Sequence, residues 1–261
     1  MPGTTVIPTP NMLTVGFFGK LPSRGDFIGR YLPKAFVAPW DAWLQAAMAR
    51  SREQMGDAAW RESYRTSPLW RFLLDNGVCG TEAYTGIMMP SMDRVGRYYP
   101  LTVAAALPPN PPLLTLTTTG AAWFARAEEL ALAALERDAL DLEAFSQEVA
   151  MLGAPLAPTA PIAPAAPGMA WHCLLPHGSD VPQTLPLLVT PLLRRAFPAT
   201  SVWWTEGSPE IDPCLLICAG LPPSAGFAAL LRGDWRQSGW NEPLLGAGDH
   251  SLAGLATSEE S

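Results

Sequence analysis

Short apolar runs closed by glycine or proline alternate along this chain with longer segments whose apolar residues recur every three or four positions. That alternation constrains the fold more than any other feature, because the first pattern marks buried strands and the second amphipathic helices. LTVGFFG, Leu13 to Gly19, is predicted as a strand ended by Gly19 and Pro22. From Ala35 to about Met55, the residues Phe36, Trp40, Trp43, Leu44, Ala47 and Met48 fall on one helical face, which should pack its tryptophans on a sheet. A shorter helix around DAAWRESY is expected to stop at Ser67-Pro68, since a residue before proline disfavours the helical basin.

LWRFLLDNG reads as a strand entering an Asn-Gly turn, TGIMMPS as a strand leaving at Pro90, and YPLTVAAAL as another. Two helices are predicted within Gly120 to Leu152, broken between Asp138 and Asp141. MAWHCLL, SVWWTEG and CLLICAG read as strands, with helices near TLPLLVTPLLRRAF and SAGFAALLRGDW. Strands mixed with helices in this way imply an α/β layered domain. Trp203 and Trp204, adjacent on a strand, must point to opposite faces of the sheet.

The organisation expected is a leader over residues 1–12 without order, one α/β domain over 13–240, and a loose tail over 241–261. A proline-rich loop at 153–168 interrupts that domain, because so many prolines cannot join a sheet interior. With 48% hydrophobic and 16% charged residues, 261 positions are enough to bury a substantial core. No apolar run is long enough for a membrane span and the N-terminus has no secretory pattern, so a cytosolic address is expected.

Charge is unevenly spread. Residues 1–100 carry eleven Lys or Arg against eight Asp or Glu, and the remainder six against sixteen. Nucleic-acid binding is not expected on that balance, since lysine is limited to Lys20 and Lys34 and phosphate-backbone affinity needs clustered cations. Four cysteines without a C-x-x-C pair fit buried thiols better than a disulfide framework or a metal cluster. His172, His177 and His250 lack the company of a triad, no G-x-S-x-G or H-E-x-x-H occurs, and no metal or cofactor is expected.

Two charged turns remain, each following a short apolar strand. GKLPSRGDF carries Lys20, Arg24 and Asp26, and PSMDRVGRYYP carries Asp93, Arg94 and Arg97 around Gly96. In a layered fold both can open at one edge of the sheet, where their charges would meet. One reading makes them structural: Asp26 and Asp93 accept backbone N–H groups of their own turns and pair with the arginines. The other makes Lys20, Arg24, Arg94 and Arg97 an anion-accepting patch for an acidic partner loop, a phosphorylated side chain or a small anion. An enzymatic variant uses Asp26 or Asp93 as a base on such a ligand.

The stretches VGFFGKLPSRGDFIGRYLPKAFVAPWDAWLQ, SPLWRFLL and MMPSMDRVGRYYPLTVAAA, in that order, resemble the TagF family of type VI secretion system-associated proteins. The likeness runs from Val15 to Ala106 and continues more weakly through SVWWTEG, Pro222-Pro223 and FAALLRGDW, so the whole chain is taken as one member; the proline-rich stretch is atypical. The resemblance implies a three-layer α/β sandwich, a mixed central sheet with helices on both faces. It also implies a cytoplasmic, non-enzymatic protein without cofactor that represses the secretion machine post-translationally. Its implied partner is a component such as the forkhead-associated scaffold protein, beside a threonine kinase and phosphatase pathway. Family signature positions fall on both turns and include Ser91; together with Arg24 from the charge reading they make a candidate binding set of Lys20, Arg24, Asp26, Ser91, Asp93, Arg94 and Arg97. An enzyme or sensor of a phosphorylated ligand at the same turns is the alternative, and a purely architectural subunit a third.

Overall fold

The computed structural model describes residues 15–137, 139–155 and 181–241. Seven strands form one sheet: β1 (Val15–Gly19), β2 (Ile28–Arg30), β3 (Trp70–Leu74), β4 (Ala83–Met89), β5 (Leu101–Leu107), β6 (Thr200–Thr205) and β7 (Cys214–Ala219), in the order β2-β1-β5-β4-β3-β6-β7. Helices α1 (Lys34–Met55), α2 (Asp57–Thr66) and α7 (Phe227–Arg232) cover one face, and α4 (Ala121–Glu136) and α5 (Leu142–Met151) the other. The one-turn α3 (Leu116–Thr119) leads into α4, and α6 (Val181–Ala196) precedes β6. The layers are those of a three-layer α/β sandwich.

One detail of the sheet differs from expectation. Every ladder is antiparallel, where a mixed sheet was predicted. The reason is local: β3–β4, β4–β5 and β6–β7 are each joined without an intervening helix, and such connections return the chain antiparallel. The helices sit between these hairpins and not inside strand–helix–strand crossovers. The proline-rich stretch from residue 156 on, the MAWHCLL segment, the leader and the tail lie outside the described residues, as do all three histidines.

Helical cover on both faces explains why β4 and β5 read as continuous apolar runs: all seven residues of each are buried. On the α1 side Phe72, Trp40 and Trp203 meet, with Trp40 stacked on Trp203 at 5.8 Å and 9°. Each buried indole N–H there finds an acceptor: Trp40 donates to Thr102 Oγ1 (3.0 Å), Trp43 to the Pro222 carbonyl (2.8 Å) and Trp70 to the Leu230 carbonyl (3.1 Å). That matters because an orphaned buried donor costs about 1–3 kcal/mol. On the opposite face Trp204 meets Phe124 edge-on at 4.9 Å. Among the described residues no helix is long and apolar enough to cross a membrane, and no group of three or more His, Cys, Asp or Glu is placed to hold a metal ion.

Candidate functional site

The antiparallel pairing of β1 with β5 decides where the charged turns go. The first turn leaves β1 after Gly19 and the second enters β5 at Leu101, so both emerge at the same end of adjacent strands. They touch through the backbone, where the Arg94 N–H donates to the Arg24 carbonyl (2.8 Å), and through Arg97, whose Nη2 donates to the Gly25 carbonyl (2.6 Å).

Asp93 organises the second turn from inside. Its Oδ1 accepts the N–H groups of Val95 (3.1 Å) and Arg97 (2.9 Å), the aspartate habit that replaces a turn's missing backbone partners. Its Oδ2 accepts Lys20 Nζ (2.9 Å) and Arg97 Nε (2.7 Å). Asp93 is only 2% exposed and Lys20 6%, so this carboxylate and ammonium are an interior pair. Burial alone would push the Asp93 carboxyl up, but the Arg97 N–H, the Lys20 ammonium and the Arg97 guanidinium outweigh it and hold the group well below the usual carboxylate range.

Ser91 is also buried and also internal, its hydroxyl donating to the Lys20 carbonyl (2.7 Å). The Tyr64 hydroxyl donates to the Ser91 carbonyl (3.1 Å) and takes the Ser91 N–H (3.2 Å), tying α2 to the turn. Tyr99, next to β5, donates to Asp41 Oδ1 of α1 (2.7 Å). Burial raises both phenols far above their usual range, and for Tyr99 the Asp41 carboxylate adds to the effect. Both therefore stay neutral donors.

What reaches solvent is narrower than the candidate set. Lys20, Ser91 and Asp93 are interior, whereas Arg24, Asp26, Arg94 and Arg97 are exposed. Arg24 spends one donor on the Leu140 carbonyl ahead of α5 (2.9 Å), and Asp26 accepts the N–H of Phe27 (2.8 Å). The Arg94 side chain makes no hydrogen bond or ion pair among the described residues, and beside it Val95 is 67% exposed. Phe27, 43% exposed, lies 4.9 Å from the Lys20 ammonium, stacks on Phe18 at 5.6 Å and meets Tyr99 edge-on at 4.7 Å. The result is a rigid double turn with an aromatic shelf on one flank and a guanidinium–valine tip.

Sequence reasoning brought the two turns together but left out Tyr64, Tyr99, Asp41 and Phe27 as members of the site. Their signal is faint: Phe27 ends the first motif and Tyr99 stands one residue before the end of the second.

Residues 16–152 match the profile of the TagF N-terminal domain, described as type VI secretion system-associated. The chain belongs to the TagF family. The crystal structure of PA0076 from Pseudomonas aeruginosa PAO1 is similar at 43% identity and a TM-score of 0.73, with 89% of this chain and 99% of that one covered. A comparison with curated protein sequences finds no match. The TagF profile takes in both charged turns and everything from β1 to α5, yet β6 and β7 lie beyond it and pair on the open side of β3.

Proposed function

We propose that this chain is a non-enzymatic repressor of type VI secretion, working post-translationally in the cytoplasm by holding a secretion component such as the forkhead-associated scaffold protein. Membership of a type VI secretion-associated family supplies the setting. The observation that carries the binding role is the double turn itself, whose interior backbone bonds hold the Arg94 and Val95 side chains outward, the Arg94 guanidinium without a hydrogen bond or ion pair among the described residues. A backbone fixed by buried bonds has little freedom left to lose on docking, which favours an interface over a mobile loop. Burial of Lys20 against Asp93 leaves a small anion fewer cations than the sequence offers.

The test is binding of the purified scaffold protein to the full chain, wild type against an Arg94→Glu, Val95→Asp double variant. Loss of binding with an unchanged circular dichroism spectrum supports the proposal. Undiminished binding overturns the role of the tip, and turnover of phosphate esters abolished by Asp26→Asn would replace the repressor with an enzyme.

A further inference from the structure

β2 ends the sheet. Its three residues pair with β1 on one side, at Phe17↔Arg30, Phe18↔Gly29 and Gly19↔Ile28, and among the described residues no strand pairs on the other. An open strand edge is a ready template for another extended chain. Gly29 at its middle has no room for a side chain, since a Cβ there would crowd Phe18 of β1 at 3.2 Å. Its carbonyl accepts Arg30 Nη1 (2.9 Å), a bond open to solvent that a competing partner can displace. Immediately after β2, Tyr31 takes a positive φ of 67°, uncommon for any residue but glycine, which turns the chain away and is 46% exposed.

Charge says what would lie there. Between Gly19 and Phe36, the stretch that enters, forms and leaves β2, the exposed charged residues are Arg24, Arg30 and Lys34 against one carboxylate, Asp26. Two copies of so basic an edge repel each other, which discourages self-pairing, while an acidic strand is drawn in. The alternation of the sheet refines this. Arg30 stands opposite Phe17 and so shares the α5 face of the sheet, and Arg24 is anchored to Leu140 at the head of α5, so both cations flank the same side of an added strand. Carboxylates at every second position would meet them.

We infer that the partner of this TagF chain docks by laying a short extended segment, acidic at alternate positions, along the open edge of β2 as an eighth strand. This rests on the proposed docking role of the double turn and adds to it the partner's backbone conformation and charge pattern.

The probe is a fluorescent hexapeptide, acetyl-Glu-Val-Asp-Val-Glu-Val-amide, titrated against the full chain at low salt. Two further versions carry N-methyl groups on the odd or the even amides, with side chains unchanged. Strand addition predicts that the parent binds, that one methylated version weakens at least about tenfold while the other is retained, and that Arg30→Gln weakens the parent. No binding by the parent, or equal binding by both methylated versions, overturns the inference. The scaffold-protein experiment on Arg94→Glu, Val95→Asp is independent of it: a scaffold that needs the tip while the peptide ignores β2 leaves the repressor reading standing and removes the eighth strand.

Discussion

Lys20 and Asp93, 73 positions apart, close a 2.9 Å ion pair inside the molecule, with both side chains shielded from solvent. Charge is costly to desolvate, so the value of the pair is best seen when one member is removed. Asp93→Asn leaves a buried ammonium without its counter-charge and weakens three further bonds in the turn. The expected loss is about 3–5 kcal/mol of unfolding free energy in a urea titration. Lys20→Met should cost less, because Asp93 keeps two N–H donors and Arg97.

Acid should loosen the fold through the same carboxylate. Asp93 holds its charge to lower pH in the folded protein than in the unfolded chain, whose aspartates titrate near about 3.9. The unfolded chain therefore takes up the proton first. This contribution is complete above about pH 5 and fades as the pH falls through the carboxylate range and below. Denaturation curves from pH 7 to pH 2 should show a slope that Asp93→Asn diminishes; an unchanged slope in the variant would contradict the assignment.

Arg94 and Arg97 should separate cleanly. Arg94→Glu touches no internal bond and should change stability by less than about 0.5 kcal/mol. Arg97→Glu places a carboxylate against the buried Asp93 and removes the bond to Gly25, so thermal melting should drop for it alone. Equal melting temperatures would mean that Arg97 is not part of the turn's framework.

The indole of Trp40 tests the aromatic layer. Thr102→Val keeps the shape of a fully buried side chain and deletes the acceptor for Trp40 Nε1. A cost of about 1–3 kcal/mol, read by tryptophan fluorescence during denaturation, is expected. A neutral outcome would show that the N–H finds another acceptor.

Thiol chemistry offers a further check. Burial pushes the Cys79 and Cys218 thiols up to about 12, and burial with the nearby Asp212 pushes Cys214 up to about 11. Thiolate is the reactive form, so these three should resist an aromatic disulfide reagent at pH 8 until denaturant is added. Rapid labelling of Cys79 in the folded protein would refute its place in the core.

Strands and long helices were legible because burial on a sheet face leaves a period in the letters. α1 is an example, with Phe36, Trp40, Trp43, Leu44 and Ala47 all buried as their spacing requires. β2 was not legible, since Ile28-Gly29-Arg30 has no apolar period and owes its extended shape to pairing with β1. The direction of the strands was misjudged for a related reason: strand–helix alternation suggests crossovers, and only the pairing shows that the hairpins come as units between helices. Convergence of the charged turns could be argued from their positions after β1 and before β5. The inward course of Lys20 could not, because nothing near it in the chain announces a carboxylate from 73 positions away.

The place of β6 has a consequence during synthesis. Its partner β3 is made about 130 residues earlier, and Phe72 must wait for Trp203, and Trp70 for Trp235, before their neighbours are in place. A nascent chain thus carries an unsatisfied ladder and bare aromatics until its last quarter leaves the ribosome, an interval in which aggregation competes with folding. Expression fragments that stop after α5, at the end of the family match, would make that interval permanent.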